Sequence, residues 1–250
     1  MATGLHALTV GYGRWLFKYR NKVFTVVLFG LLLGLPPVTI AHNVALDRWW
    51  DACGFLIALA GQGLRAAVIG LEYIKRGGIN KQIHADKLVT SGMFAHCRNP
   101  LYVGNLLIIA GLFVMHNHPL VYLFGGIYFI TAYIAIVAAE EAYLHDQFGV
   151  EFECYCVAVN RWLPRWRGLS DTLGSMEMNW RRMVQKDYGT AYFWLAGVGI
   201  LLILERLHGT TTGYSNADLP APGLYLLAVT ALFFGVWRLK RLRYFHPRNG

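Results

Sequence analysis

Long uncharged blocks alternate with short basic segments along this chain. Residues 23–46 and residues 101–139 carry no formal charge, and each block exceeds the roughly 20 apolar residues that an α-helix needs to cross a bilayer. The second block is interrupted only by a turn-like sequence at residues 115–119. This pattern predicts membrane-spanning helices rather than the core of a soluble domain.

Six apolar segments are predicted as helices of a bundle. The first contains Pro36-Pro37, which should kink or break it, and the third is short for a membrane span. The polar stretch between the fourth and fifth segments is predicted to fold at the membrane surface. The six segments are residues 23–46, 52–74, 101–115, 120–139, 188–204 and 221–237.

Composition and charge support this interpretation and orient the chain. Hydrophobic residues make up 56% of the sequence and charged residues 15%, against about a quarter charged in soluble domains. The net charge of +9 comes from Lys and Arg clusters that all fall on one side if both termini are cytoplasmic and there are six spans. We therefore expect an integral, multi-pass, all-α transmembrane bundle. The tryptophans among the arginines of residues 161–182 suit interfacial anchoring, so no nucleic-acid partner is expected.

Few polar residues interrupt the apolar segments. Arg65 lies inside the second one, where a charge costs a few kcal/mol. It either snorkels toward the cytoplasmic end or contacts an internal anion or a headgroup, and the sequence does not favour one over the other. The four cysteines contain no CxxC pair, and His116 and His118 are too few for a metal centre. No metal site is expected.

The third and fourth segments are joined by a four-residue turn and are predicted to form an antiparallel helical hairpin. This hairpin brings Arg98, Asn99 and Tyr102, before and at the start of the third segment, close to Glu140 and Glu141 at the end of the fourth. Carboxylates can hold an ammonium group or ribose hydroxyls, and arginine can hold a carboxylate. Such a cytoplasmic pocket suits a zwitterionic ligand. On spacing alone, an ion pair within the hairpin and interfacial anchoring remain an alternative.

Two residue types in this region favour tight local structure. Pro100 suits the first turn of a helix, where its missing N–H is not needed. Gly92 and Gly104 allow close approach of the backbone.

The same region also carries a family pattern. In chain order its parts are Leu88-Val89-Thr90-Ser91-Gly92, Arg98-Asn99-Pro100-x-Tyr102-x-Gly104, Glu140-Glu141, Phe148-Gly149-x-x-Phe152-x-x-Tyr155 and Arg161-x-x-Pro164. Together, over about residues 84–165, they resemble the isoprenylcysteine carboxyl methyltransferase and phospholipid methyltransferase superfamily.

The resemblance implies an integral-membrane methyltransferase that uses S-adenosylmethionine (SAM), has no Rossmann domain and acts on a lipophilic small molecule or lipid. Methyl transfer from a sulfonium is an in-line displacement that depends chiefly on alignment. Arg98 and Glu140 are implied as the catalytic, positioning residues. The implied cofactor-binding residues are Leu88, Val89, Gly92, Phe94, Arg98, Asn99, Tyr102, Glu140 and Glu141.

Two departures from the family pattern bear on the substrate and the cofactor. Eukaryotic prenylcysteine carboxyl methyltransferases have an arginine four residues before the first glutamate, where this chain has Ile136. We therefore expect a prenylcysteine carboxylate to be a poor acceptor, unless Arg65 supplies the missing charge. Some members have a histidine just before Leu-Val. Asp86 occupies that position here, and His84 lies two residues earlier.

Three regions are expected: N-terminal transmembrane helices (1–83), a methyltransferase core (84–165), and a cytoplasmic connector with two C-terminal transmembrane helices (166–250). Other functions stay open at this point. They are a phospholipid amine N-methyltransferase, an NADPH-dependent membrane reductase of related fold, and a non-catalytic membrane binding protein. The sequence names neither the acceptor atom nor the oligomeric state.

Overall fold

The computed structural model describes residues 2–71, 83–208, 220–242 and 244, and within these residues the chain forms helices and no strand. The expected all-α, polytopic bundle is confirmed. A π-helical turn at Val121–Gly125 leads into the fourth helix, and 3₁₀ turns lie at Ile40–His42 and Gly92–Ala95. The α-helices are α1 (Ala2–Gly34), α2 (Val44–Leu71), α3 (Pro100–His116), α4 (Gly126–Phe148), α5 (Val150–Ala158), α6 (Leu169–Gly174), α7 (Trp180–Leu207) and α8 (Pro220–Arg241).

Four helices of the described chain are long and apolar enough to cross a membrane: α2, the continuous helix over residues 121–148, α7 and α8. α3 is apolar but shorter. The bounds predicted for the first segment are wrong, because α1 ends at Gly34, ahead of Pro36-Pro37, where the helix loses donors and meets steric clashes. The predicted break at the prolines is thereby confirmed. The other five segments each fall on one helix over the described residues, with the end of the second, residues 72–74, outside them.

The backbones of α2 and α3 touch at paired glycines. A Cβ atom on Gly54 would lie 2.7 Å from the carbonyl oxygen of Gly111, and one on Gly61 would lie 2.5 Å from that of Gly104. The two pairs are seven residues apart on each helix, about two turns, so they lie on one face. The close approach predicted at Gly104 is confirmed. α2 is its partner.

α3 and α4 are antiparallel, as predicted for the hairpin, but each packs chiefly against another helix: α3 against α2, and α4 against α1. Gly13 of α1 has no room for a side chain beside the backbone of Ala135. Between α3 and α4 the contact is made by large side chains, with the rings of Tyr102 and Tyr133 centred 5.3 Å apart. The hairpin is therefore held by aromatic packing. The start of α3 and the last turns of α4 lie close together, where Tyr102 bonds to Glu140.

A buried histidine ties α1 to α3 at the far end of this pair. His116 is fully buried, and its Nε2 lies 3.0 Å from the carbonyl oxygen of Leu35, just after α1. Asn117 follows with φ 53°, a left-handed conformation that ends α3 and that asparagine tolerates well. The histidine thus satisfies a carbonyl group that the end of α1 leaves free.

Arg65 joins α2 to α7 through a buried ion pair. Its side chain is 11% exposed and that of Asp187 is 3% exposed, and Nε of Arg65 donates to Oδ1 of Asp187 over 3.1 Å. The guanidinium also donates to Asn105 and Thr190, while Gln62 donates to the other oxygen of Asp187 over 2.6 Å. The snorkelling interpretation of Arg65 is wrong. Its internal anion is Asp187.

Among the described elements, the last helix packs chiefly on α7. The Tyr225 hydroxyl donates to the carbonyl oxygen of Leu195 over 3.1 Å, and the rings of Tyr192 and Phe233 stack at 4.2 Å. Only Pro222 of α8 is buried. The face of this apolar helix opposite α7 is exposed, as suits contact with lipid.

Candidate functional site

A cavity of about 440 Å³ opens at the end of the bundle where α3 begins and α4 ends. This volume lies within the range of about 300–1,000 Å³ that is typical of small-molecule sites. The chain segment before the second 3₁₀ turn, the last turns of α4 and the helix α5 form its walls. The lining residues are Ile83, His84, Ala85, Asp86, Lys87, Leu88, Val89, Phe94, Arg98, Asn99, Glu140, Glu141, Leu144, Phe152 and Tyr155.

Most of the residues predicted to bind the cofactor lie on this cavity. Tyr102 stands behind the wall, where its hydroxyl donates to Oε1 of Glu140 over 2.7 Å. Gly92 does not line the cavity. Its φ of 58° lets the chain turn into the 3₁₀ segment in a conformation that disfavours residues with a Cβ. The seven predicted residues that line the cavity are Leu88, Val89, Phe94, Arg98, Asn99, Glu140 and Glu141.

Glu140 presents one carboxylate oxygen to the cavity. Oε1 accepts the Tyr102 hydroxyl, whereas Oε2 receives no hydrogen bond from the residues that the structure describes. A carboxylate offers about four lone-pair sites. Glu140 can therefore accept a hydroxyl or ammonium group of a ligand without giving up its bond to Tyr102.

Arg98 holds the wall of the cavity together. Its Nη1 donates to the carbonyl oxygens of Cys156 and Val159, both over 2.8 Å, and these belong to the end of α5, where helical carbonyls lack partners. Its Nε donates to Glu141 over 3.2 Å, and Arg161 contacts the same carboxylate. Arg98 is thus engaged mainly with the protein, and only Nη2 makes no hydrogen bond to the described part of the chain.

The aromatic wall of the cavity comes from α5, and its residues were not among those predicted from the sequence to line the site. Phe152 and Tyr155 belong to the family pattern but not to the predicted cofactor set, and their spacing of three on one helix face was the available signal. The Tyr155 hydroxyl donates to the carbonyl oxygen of Phe94 over 2.8 Å. Burial raises the pKa of Tyr155, so the phenol stays protonated and keeps this bond at neutral pH.

The rim of the cavity carries a further polar pair. Nε2 of His84 lies 2.9 Å from Oδ1 of Asp86, with side chains 40% and 50% exposed. Both residues line the cavity. At the position where some family members have a histidine, this chain therefore presents the aspartate Asp86 to the cavity. Lys87 adds a positive charge beside them.

Two features lie outside the cavity. Ile136, one turn before Glu140, is fully buried in the core. The carboxylates of Asp47, Asp51 and Glu205 come within 4.8 Å of one another, the spacing of metal ligands, and Arg206 lies 4.0 Å from Glu205. This carboxylate cluster lies at the start of α2 and the end of α7, at the opposite end of the bundle from the cavity.

Comparisons with known proteins bear on this region. The sequence pattern of the phospholipid methyltransferase family matches residues 52–151, which run from α2 to the start of α5. Over 129 residues the chain is 31% identical to protein-S-isoprenylcysteine O-methyltransferase of Mus musculus, an alignment that covers 48% of this chain and 44% of the relative. No solved structure matches the chain.

Two bacterial relatives align over a longer stretch of 151 residues, 60% of this chain. The cobalt-zinc-cadmium resistance protein CzcN of Cupriavidus metallidurans is 38% identical, with 66% of its length covered. The nickel-cobalt-cadmium resistance protein NccN of Alcaligenes xylosoxydans xylosoxydans is 28% identical, with 67% covered. The chain thus spans about two thirds of these relatives and less than half of the mouse protein.

Proposed function

This chain belongs to the isoprenylcysteine carboxyl methyltransferase and phospholipid methyltransferase superfamily, and on that basis we propose that it transfers a methyl group from SAM to a lipophilic or membrane-resident acceptor. The observation that carries the proposal is the cavity. Its wall contains the carboxylate of Glu140, one oxygen of which accepts no hydrogen bond from the described residues, together with Arg98, which holds α5 in place, and aromatic side chains.

The donor set fits SAM chemically. A ribose and an α-ammonium group need acceptors, which Glu140 offers, and an adenine needs apolar or aromatic surfaces, which Phe94 and Phe152 offer. Nη2 of Arg98, which makes no hydrogen bond to the described residues, is available to a carboxylate. SAM supplies a methyl group bonded to a positively charged sulfur, and an acidic group in the cavity attracts a cationic ligand.

The residues of this chain act by binding, orienting and excluding water. Glu140 binds the cofactor at the mouth of the α3–α4 pair, and Arg98 keeps α5 in place against it. Leu88, Val89 and Leu144 provide apolar walls that keep water from the reacting groups. A displacement at carbon needs alignment more than a covalent intermediate, and a general base is required only if the acceptor enters with its proton.

The cavity favours SAM over NADPH. NADPH carries three phosphate groups, whereas Glu140 is paired with a neutral phenol and the guanidinium of Arg98 is largely engaged by Glu141 and carbonyl oxygens. Anionic phosphates beside an unneutralised carboxylate are disfavoured. A reductase is therefore the weaker candidate, and family membership favours an enzyme over a non-catalytic binding protein.

Metal handling, which the names of the two bacterial relatives suggest, is also the weaker candidate for this chain. The described carboxylate cluster offers oxygen ligands only, whereas protein sites for zinc, cobalt and nickel commonly use histidine or cysteine. The cluster also lies far from the cavity.

We further propose that the chain is a multi-pass protein with both termini and the cavity on the cytoplasmic side. The support is the distribution of Lys and Arg: every basic cluster falls on one side in that arrangement, and the opposite loops hold only Arg48 and Arg206. The donor would then enter from the aqueous phase and the acceptor from the bilayer. We also propose that the chain is divided into the three regions given above, residues 1–83, 84–165 and 166–250.

The proposed cofactor contact predicts a loss of SAM binding on replacing Glu140→Ala. One or more charge-assisted hydrogen bonds disappear, each worth about 1.5–3 kcal/mol, so we expect SAM affinity to fall about ten- to hundredfold. Calorimetric titration of the detergent-purified protein measures this. Glu151→Ala, an exposed acid on α5, is the matched control, and unchanged affinity in Glu140→Ala would contradict the assignment.

The activity itself is tested by incubating the purified protein with methyl-labelled SAM and a total membrane-lipid extract, followed by identification of labelled products. A labelled lipid supports the proposal and names the acceptor. A protein that neither binds SAM nor transfers a label would show the proposal to be wrong.

The acceptor is expected to present an amine, thiol or hydroxyl rather than a prenylcysteine carboxylate. The position of the missing arginine, Ile136, is fully buried in the core, and the charge of Arg65 is already neutralised by Asp187. Burying a carboxylate without a partner is strongly disfavoured. We expect kcat/KM for a farnesylcysteine analogue to be at least about tenfold below that for an amine headgroup lipid. Equal efficiency on the two acceptors would refute this.

A further inference from the structure

We infer that Arg20, on α1, is a positioning residue for the cofactor site and acts on Glu140 through Tyr102. The inference rests on the proposed function, in which Glu140 contacts SAM. Arg20 lies outside residues 52–151, which match the family. The N-terminal helix would therefore complete a site that the rest of the bundle carries.

A hydrogen-bonded chain links the three side chains. Nη1 of Arg20 donates to the Tyr102 hydroxyl oxygen over 3.0 Å, and this hydroxyl donates to Oε1 of Glu140 over 2.7 Å. A guanidinium has donors only, and a phenol has a single proton. The oxygen of Tyr102 must therefore accept from Arg20, which directs its proton to Glu140.

Arg20 is itself held in place. Its Cζ atom lies 4.3 Å from the ring centroid of Phe17, one turn earlier in the same helix, a cation–π contact, and Phe17 is part of the buried core. The close contact of Gly13 with the backbone of Ala135 fixes α1 against α4. The guanidinium is thus pre-organised relative to the helix that carries Glu140.

This arrangement orients the carboxylate without occupying it. The positive charge stands two hydrogen bonds away from Glu140, and Tyr102, which is 3% exposed, is shielded from water that would compete for its proton. Oε2 of Glu140 therefore stays available in a fixed direction for a ligand. Without Arg20, the Tyr102 oxygen loses a charged donor that polarises its bond to Glu140, and the carboxylate is held less firmly.

The test is a double-mutant cycle on SAM affinity and on the KM for SAM. Arg20→Met and Tyr102→Phe should each weaken SAM binding about three- to tenfold, with the KM for the acceptor unchanged. The double variant should lose no more than the weaker-binding single variant, because the two residues act in series. Arg20→Lys, which keeps a charged donor, should recover most of the affinity. Arg14→Met, an exposed arginine on the same helix, is the control.

Each result separates the inference from the proposed function. A parent protein that does not bind SAM refutes the proposed function, and the inference with it. If the parent binds SAM, wild-type affinity in Arg20→Met, or losses that add in the double variant, overturns the inference and leaves the proposed function standing. Should Arg20→Met fail to fold, Arg20→Gln and Arg20→Lys replace it, and failure of lysine to surpass glutamine overturns the inference in the same way.

Discussion

Replacing Arg98→Ala is expected to weaken SAM binding by about a hundredfold or more, the largest effect of any single change on the cavity. The substitution removes two bonds to the carbonyl oxygens of Cys156 and Val159 and one to Glu141. Because these bonds are present with and without ligand, they act on affinity through the position of α5. The contact that Nη2 offers to a ligand carboxylate, worth about 1.5–3 kcal/mol, is lost as well, and a hundredfold loss of affinity corresponds to ~2.7 kcal/mol.

The loss follows chiefly from the position of these bonds. Arg98 anchors the end of α5, and α5 carries Phe152 and Tyr155 into the cavity. When the anchor is removed, the aromatic wall loses its fixed distance from Glu140, and a displaced wall lowers affinity beyond the loss of the proposed Nη2 contact with the ligand. The variant should therefore stay helical by circular dichroism while its SAM affinity, measured by titration calorimetry, falls.

A matched control uses the other partner of the same carboxylate. Arg161 also contacts Glu141, but its side chain is 44% exposed, and exposed ion pairs contribute about 0–1 kcal/mol. Arg161→Ala should change SAM affinity less than about fivefold. If the Arg98→Ala and Arg161→Ala proteins bind SAM with equal affinity, the role proposed for Arg98 in the site is wrong.

Local patterns in the sequence were sufficient to place most of the apolar helices and the meeting of the polar groups, but not the bounds of α1 or the helices α5 and α6. The proline pair after α1 and Pro100 at the start of α3 mark helix ends through their missing donors. The four-residue turn leaves α3 and α4 no arrangement other than an antiparallel one, which brings Tyr102 to Glu140. These inferences need only neighbouring residues along the chain.

Pairings between distant segments could not be predicted in this way. Arg65 and Asp187 are 122 positions apart, and Arg20 and Tyr102 are 82 apart. Apolar periodicity shows which face of a helix is buried but not which helix covers it. For the same reason the glycine contacts between α2 and α3, and the packing of α4 on α1, emerge only from the assembled bundle.

The second large effect concerns stability. Removing one member of the buried Arg65–Asp187 pair, as in Arg65→Met or Asp187→Leu, should cost about 3–5 kcal/mol of the free energy of unfolding, because it leaves an uncompensated charge between α2 and α7. Removing both together should restore most of that loss, since a buried ion pair contributes little beyond an apolar pair of similar size. Unfolding of the detergent-solubilised protein, followed by circular dichroism, measures the difference.

The same variants decide what Arg65 is for. If Arg65 serves only to neutralise Asp187, the double variant should fold and keep the parent's SAM affinity and kcat, because neither residue lines the cavity. Glu153→Gln, from an exposed pair with side chains 56% and 59% exposed, should change the unfolding free energy by less than about 1 kcal/mol. A stable double variant that binds SAM normally but loses turnover of acidic acceptors would instead assign Arg65 to the substrate, and would overturn its structural role.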